Sequence, residues 1–293
     1  MGLRHLNTVS FFINRLLLSL NLFYCRERSF FDDEGGGSIM AKQSETFLSM
    51  LYDFWSPHIE EAEFLFYHRL LKASLSDGGK ALELSCGSGR LLLPFVAEGM
   101  DVSGIEGSIE LCGVLQKRAK EANISINVSQ MQLDSVEIKG RYKVIYSTLG
   151  SFQMVTDYDD ATILLSKIYT SLEDNGVVSI ALFLPLRTMA LQGNDWVIAS
   201  DHKDPESKQR YVRREKSFHD EVEQLIEGKI RYETWLGWDL LEMEEKDLKL
   251  RWYSQHEFIF LLREAGFKNI EMHRSYDENE GNKKSFMLFL ARK

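Results

Sequence analysis

The chain has 293 residues, which is enough for one large α/β domain with an insertion or for two small domains. Its hydrophobic fraction of 44% and charged fraction of 27% are ordinary for a soluble globular protein, and a net charge of −9 without a basic block argues against nucleic-acid binding. The three cysteines and seven histidines show no metal-ligand spacing, so we expect no metal site, and so few cysteines favour a cytoplasmic protein.

The first 39 residues have an unusual composition. An apolar run at 9–24 is interrupted by an arginine and two asparagines, so it is too short and too polar to span a membrane, and it lacks a signal-peptide cleavage site. A linker-like stretch at 35–38 precedes Met40. Because Glu34-Gly35-Gly36 can be encoded by a ribosome-binding sequence, one hypothesis is that residues 1–39 are an over-extended reading frame. The alternative is an amphipathic surface helix or a weak membrane-surface segment.

Residues 43–74 carry apolar side chains at helical spacing. Tyr52 and Trp55 share one face of a first helix, which Pro57 ends, and a second helical run covers Glu60 to Ala73. At this point Tyr52 and Trp55 have two open interpretations. They are either core aromatics or part of a segment that covers a ligand.

The stretch 80–96 is the most informative part of the sequence. Ala81–Leu84 is an apolar run of the length of a buried strand, and small residues follow it up to Gly89. Small residues let the backbone turn sharply and approach a ligand closely. Apolar residues from Leu91 to Val96 then predict a helix, whose first N–H groups are free to bind an anion. Strand, glycine turn and helix form the nucleotide-binding end of a doubly wound sheet, although a turn without a ligand is the plainer alternative.

A second strand–turn–helix unit follows at 101–122. Ile105 ends a short strand and Glu106 sits at its carboxyl end, where such a sheet places an acid to bind ribose hydroxyls. A carboxylate can accept both hydroxyl hydrogen bonds side by side. Gly107 would let a cofactor come close to the chain, and Ser108 is a good N-cap for the helix that follows.

These two units resemble the class I S-adenosylmethionine-dependent methyltransferases. Residues 83–89 are similar to motif I, an acidic residue followed by a glycine-rich turn, except that Ser85 stands where the family usually has its first glycine. Residues 104–108 are similar to motif II. A dinucleotide fingerprint would need a third glycine at Leu92, and its absence counts against a nicotinamide dehydrogenase. The resemblance extends over residues 45–293.

The resemblance implies an α/β fold with a Rossmann-like, doubly wound, mostly parallel seven-stranded sheet and an inserted antiparallel sheet. It also implies S-adenosylmethionine as the cofactor and methyl transfer to a small-molecule acceptor by in-line displacement. Residues 148–153 lack the Asn/Asp-Pro-Pro-aromatic tetrad of DNA amino-methyltransferases, so a nucleobase acceptor is disfavoured. A non-catalytic protein that binds S-adenosylmethionine or S-adenosylhomocysteine is the alternative, and both a monomer and a homodimer stay open.

The same resemblance implies a set of site residues. The predicted cofactor-binding residues lie in the N-terminal helical segment, in motifs I and II and at the ends of the third and fourth strands: Tyr52, Glu83, Ser85, Cys86, Gly87, Gly89, Arg90, Glu106, Gly107, Met131, Gln132 and Ser147. Trp55 and Phe152 are predicted to contact the acceptor. No residue stands out as a general base, so the catalytic roles stay open.

The pattern changes after a buried strand that we predict at 177–183. The region 196–238 contains four β-rich runs, two of them joined by a predicted hairpin turn at Glu227-Gly228. Earlier in the chain, within the core, the predicted third strand is Ile124–Val128. The charged stretch 242–249 is predicted to be a solvated face. The inserted sheet either caps the active site or serves a structural or dimer-forming role.

The predicted domain organisation has four parts. Residues 1–39 are an extension, 40–183 form the cofactor-binding core, 184–250 form the inserted sheet, and 251–293 complete the core with a helix and two strands. The last helix has a capping box, Ser254-Gln255-His256-Glu257, at its start.

Overall fold

The computed structural model describes residues 61–184, 195–205, 207–277 and 286–293. Residues 1–39, as well as Tyr52 and Trp55, lie outside the described residues, so the predictions for them stay predictions. Within the described part, helices and strands alternate first, and a run of long strands follows. The elements are α1 Glu61–Ser74, β1 Ala81–Leu84, α2 Leu92–Ala97, β2 Val102–Glu106, α3 Ile109–Glu121, β3 Asn127–Gln130, β4 Tyr142–Ser147, a 3₁₀ turn Ser151–Met154, α4 Tyr158–Ser171, β5 Leu172–Phe183, β6 Val197–Lys203, β7 Gln209–Asp220, β8 Leu225–Leu236, β9 Asp239–Arg251, α5 Gln255–Glu264, β10 Lys268–His273 and β11 Phe286–Arg292.

The main sheet has seven strands in the order β10-β11-β5-β4-β1-β2-β3. Strands β1 to β5 run parallel, whereas β11 is antiparallel to both β5 and β10. This confirms the predicted α/β, mostly parallel, doubly wound fold. The chain order reverses between β1 and β4, and in such sheets ligands bind beyond the carboxyl ends of the strands at that point.

Helices cover both faces of this sheet. On one face, α1, α2 and α3 contribute buried side chains such as Tyr67, Phe95 and Leu115. On the other face, α4 and α5 contribute residues such as Ile168 and Phe258. All four residues of β1 are buried, as expected for a central strand with a helix layer on each side.

Strands β6 to β9 form a separate antiparallel sheet between β5 and α5. The predicted hairpin turn at Glu227-Gly228 is wrong, because β8 runs through this point and Gly228 pairs with Ser217 and Leu248. A side chain at Gly228 would overlap the backbone carbonyl of Lys216, so glycine serves close strand approach here and not a turn. The turn lies instead after Asp220, whose carboxylate accepts two backbone hydrogen bonds.

The stretch 242–249 lies in β9 and six of its eight residues are exposed, in agreement with the predicted solvated face. One further boundary differs from the sequence prediction. The third strand begins at Asn127, not at Ile124. The reason is local, because Asn123 is left-handed and the Ile124 N–H donates to the Ala119 carbonyl, so these residues complete the end of α3.

The capping box of α5 is confirmed, since the Ser254 hydroxyl and the Glu257 carboxylate each bind the other's backbone N–H. Within the described ranges, no helix is long and apolar enough to cross a membrane. The same ranges contain no group of three His, Cys, Asp or Glu side chains that could hold a metal ion.

Candidate cofactor-binding site

Glu106 lies at the carboxyl end of β2, beside the switch point of the sheet. Its carboxylate accepts one hydrogen bond from the Gly87 N–H and one from the Ser108 N–H, both at 2.8 Å. Only 7% of the residue is exposed. A carboxylate has about four acceptor positions, so about two remain for a ligand. The residues present therefore fit the two hydroxyls of a ribose.

The turn after β1 is built from left-handed residues. Ser85, Gly87 and Gly89 have φ values of 55°, 58° and 85°. A side chain at Gly89 would overlap Leu115 and Leu93, so glycine is required for the packing of α2 and α3. Ser85 adopts the conformation that a glycine would adopt freely, at a cost of roughly 1–2 kcal/mol. The substitution in motif I thus preserves the shape of the turn.

Cys86 contributes through its backbone. Its N–H donates to the Ile105 carbonyl at 3.0 Å, which joins the turn to β2. Its thiol lies against Gly104, where there is no room for a side chain, and the residue is only 3% exposed. Burial raises the pKa of the thiol well above its usual range, so it is not a nucleophile.

Met131 and Gln132 follow β3 and lie beside Glu106 and Gly107. The Met131 N–H donates to the Glu106 carbonyl at 3.0 Å, and the Gln132 amide donates to the Gly107 carbonyl at 3.2 Å. The Gln132 side chain occupies the space that a side chain at Gly107 would need. The structure therefore brings these predicted residues together at one edge of the sheet.

Ser147 ends β4 and is fully buried. Its hydroxyl has no hydrogen-bond partner within the described part of the chain. An unsatisfied buried hydroxyl costs about 1–3 kcal/mol, so such groups often mark a place where a ligand completes the bonding. The position next to β1, at the same edge as Glu106, agrees with the predicted role in binding the cofactor.

Phe152 is placed differently from its prediction. Its side chain is fully buried and packs on Tyr253 and Phe258, with ring centroids 6.0 and 5.4 Å away. It belongs to the hydrophobic core in this structure.

Glu83 is fully buried inside the sheet and accepts a hydrogen bond from the Tyr146 hydroxyl at 3.1 Å. Burial raises the pKa of its carboxyl to about 8, even though the nearby Arg90 and the Tyr146 hydrogen bond act in the opposite direction. The carboxyl is therefore largely protonated at neutral pH. The predicted contact of Glu83 with the cofactor stays a prediction.

Two polar connections escaped the sequence analysis. Arg90, after the glycine turn, binds the Glu63 carboxylate of α1 with two hydrogen bonds of 2.5 and 3.0 Å, and Tyr276 donates to the same carboxylate at 3.2 Å. Gln153 holds the backbone of Phe183 through both ends of its amide and also donates to the Arg251 carbonyl at 3.1 Å. In the sequence, the available signal for the first connection was Glu63 next to Phe64 on the apolar side of the helical run, whereas Gln153 gave no signal.

The fold and this edge define a Rossmann-like nucleotide-binding protein, because an acid and a glycine turn meet at the switch point of a doubly wound sheet. The family model described as a methyltransferase domain matches residues 58–272. This is more than half of the sequence. The chain belongs to this methyltransferase family.

Individual similarities are more distant. The chain is 22% identical over 152 residues to YqeM from Bacillus subtilis strain 168, a protein named as a methyltransferase. The match covers 49% of this chain and 57% of YqeM. The chain thus spans only about half the length of the curated relatives it matches.

Solved structures share the fold. An S-adenosylmethionine-dependent methyltransferase from Clostridium acetobutylicum ATCC 824 has a TM-score of 0.69 at 15% identity, covering 85% of this chain and 98% of that one. CalS10, an amino pentose methyltransferase from Micromonospora echinaspora solved with S-adenosylmethionine bound, has a TM-score of 0.59 at 12% identity, with coverages of 90% and 99%.

Proposed function

We propose that this protein transfers a methyl group from S-adenosylmethionine to a small-molecule acceptor. The observation that carries the proposal is the Glu106 carboxylate, which is fixed by Gly87 and Ser108 and keeps about two acceptor positions for ribose hydroxyls. Membership of the methyltransferase family decides between this cofactor and other nucleotides.

In this proposal the site residues have separate binding roles. Glu106 holds the ribose, Met131 and Gln132 lie against the adenine, and the turn around Gly87 and Gly89 approaches the rest of the cofactor. Ser147 supplies a hydroxyl at the same edge. Ser85 and Cys86 contribute to cofactor binding through the shape of the turn. Arg90 contributes from the position that follows the turn. Tyr52, outside the described residues, is proposed to complete the site.

The bound cofactor would supply a methyl group already activated on a sulfonium. What the chain contributes is position, since holding two reactants in line is worth roughly 7–11 kcal/mol in favourable cases. An amine acceptor would need only to be neutral, whereas a hydroxyl would benefit from a base. We assign no base, and the turn and strand ends serve to bind and orient.

The nature of the acceptor rests on indirect support. CalS10 is an amino pentose methyltransferase, and its fold matches over most of both chains, which supports a small polar acceptor. A cytoplasmic location, the absence of nucleic-acid and membrane partners, and the four-part domain organisation are parts of the same proposal.

Transfer of a labelled methyl group tests the proposal. The full chain is incubated with S-adenosylmethionine carrying a labelled methyl and with a panel of small amines and alcohols. We expect label in one class of acceptor together with release of S-adenosylhomocysteine. Tight cofactor binding without transfer to any panel member would instead favour a non-catalytic binding protein.

A further inference from the structure

The glycine turn after β1 is held by side chains from two directions. From one direction, Arg118 of α3 donates to the Ser88 hydroxyl at 2.9 Å, and the Gly87 N–H donates to the proposed ribose-binding carboxylate at 2.8 Å. From the other direction, Glu63 of α1 binds Arg90, the residue that follows the turn. The first set of contacts belongs to the proposed ribose site, whereas the second set has no assigned role in binding.

The turn depends on such contacts because one of its residues is strained. Ser85 has a φ of 55°, a left-handed conformation that is unfavourable for a residue with a side chain. Strained residues persist only where the surrounding structure fixes them, and they cluster at sites that hold ligands. A contact that fixes this turn can therefore change how well the turn binds a ligand.

Glu63 is at the centre of the second set of contacts. Only 2% of this residue is exposed, and both of its carboxylate oxygens have partners. Arg90 donates to them at 2.5 and 3.0 Å, and the Tyr276 hydroxyl donates to one of them at 3.2 Å. Replacing a buried ion pair by apolar residues is often neutral or stabilising, so stability alone does not explain why a charged pair lies here.

Tyr276 reaches the carboxylate from the C-terminal part of the chain. It follows β10 and is 213 positions away from Glu63. Its ring packs among Phe66, Tyr67 and Phe286, with ring centroids 5.6, 5.8 and 4.9 Å away. Because the ring is packed in this way, its hydroxyl is directed to the carboxylate, and a change at Tyr276 reaches the turn through the ion pair.

The two sets of contacts lie on opposite sides of β1. Tyr67, in the same group of rings, packs on Tyr146 of β4 with centroids 5.0 Å apart, and its hydroxyl accepts a hydrogen bond from Ser179 of β5 at 3.3 Å. In the sheet, β4 and β5 lie on one side of β1, and β2 and β3 lie on the other. Glu106 ends β2 and Met131 follows β3, so the proposed nucleoside contacts are on the second side. The ion pair thus supports the turn from the side away from the nucleoside.

We infer that Glu63 and Tyr276 are positioning residues for the cofactor. Through Arg90 they hold the glycine turn in the conformation that binds the amino-acid part of S-adenosylmethionine, whereas Glu106 holds the adenosine part. Arg90 then affects the cofactor through the turn that it follows. This inference rests on the proposed function, because it concerns the same cofactor.

Two ligands that differ in the amino-acid part test the inference. Binding of S-adenosylhomocysteine and of adenosine to the full chain is measured by calorimetry for the wild type and for Tyr276→Phe, which loses only the hydroxyl. We expect the variant to bind S-adenosylhomocysteine roughly five-fold or more weakly and adenosine within about two-fold of the wild type. Damage to the fold would weaken both ligands alike, so the difference between the ligands separates positioning from stability.

Tyr142→Phe is the matched control. It also removes a hydroxyl hydrogen bond, to the Lys139 carbonyl at 2.8 Å, but at the amino end of β4, away from the turn. Both ligands should bind this variant within about two-fold of the wild type. Unchanged binding of S-adenosylhomocysteine in Tyr276→Phe, equal weakening of both ligands, or the same loss in Tyr142→Phe would overturn the inference and leave the proposed function standing. Selective weakening in a protein that transfers no methyl group would refute the proposed function and leave the inference standing.

Discussion

The guanidinium of Arg90 donates two hydrogen bonds to the carboxylate of Glu63, although the two residues are 27 positions apart in the chain. Arg90 follows the glycine turn and Glu63 lies in α1, where it is only 2% exposed. Tyr276 joins the same carboxylate from the end of β10. The ion pair therefore ties three separate parts of the chain to the turn that we propose binds the cofactor.

Replacing Glu63 by glutamine should destabilise the protein substantially. An amide cannot balance the Arg90 charge, and breaking a buried ion pair from one side costs about 3–5 kcal/mol. Urea denaturation measures the change in the free energy of unfolding. Glu61→Gln, at an exposed position of the same helix, is the control and should stay within about 0.5 kcal/mol. Indistinguishable stabilities of the two variants would show that the ion pair contributes little.

The raised pKa of Glu83 makes stability depend on pH. Its carboxyl titrates at about 8 in the folded protein, against an ordinary value of 4.5. Between these values the folded protein keeps a proton that the unfolded chain releases, so this contribution is fully present below about pH 4.5 and is lost as pH rises to about 8.

Glu83→Gln should remove that dependence, since an amide does not titrate there and can still accept the Tyr146 hydrogen bond. From pH 5 to pH 8 the wild type should lose about 3 kcal/mol more unfolding free energy than the variant, from about 1.4 kcal/mol per pKa unit. Denaturant titrations at both pH values measure the difference. If the free energy of unfolding depends on pH in the same way for both proteins, the Glu83 carboxyl is already ionised in the folded protein and the prediction is wrong.

Replacement by alanine should change the stability of the protein in opposite directions at two glycines. Gly113 lies inside α3 with open space around its Cβ position, so Gly113→Ala should stabilise the protein by about 0.5–1 kcal/mol. Gly228→Ala should destabilise it by about 1–3 kcal/mol, because the new methyl would meet the backbone of β7. Thermal unfolding of both variants checks the signs, and a stabilised Gly228→Ala would contradict the observed strand spacing.

The sequence predicted the parts of the fold that local chemistry determines. The glycine turn, the Ser108 N-cap, the capping box at Ser254 and the buried strand β1 each depend on residues close in sequence. The position of Glu106 at the end of β2 was predictable as well, because Ile105 and Glu106 close a short apolar run, whereas its role in binding a ribose stays a prediction.

Features that depend on distant contacts were not predictable. Gly228 looked like a turn residue, since only the pairing of β8 with β7 shows that it lies within a strand. The ion pair of Glu63 with Arg90 joins residues 27 positions apart, so no local pattern in the sequence predicts it. Phe152 was expected at the acceptor, but the packing of α5 places it in the core.

Binding of S-adenosylmethionine to the wild type and to Glu106→Ala, measured by calorimetry, tests the central claim most directly. Each good hydrogen bond to a charged group is worth about 1.5–3 kcal/mol, so losing both ribose contacts should weaken binding at least a hundred-fold. Glu121→Gln, at the exposed end of α3, is the control and should bind like the wild type. Micromolar or tighter binding by the wild type and the control, with near-complete loss in Glu106→Ala, is the result we expect. Equal affinity in Glu106→Ala, or a wild type that prefers NAD to S-adenosylmethionine, would contradict the account.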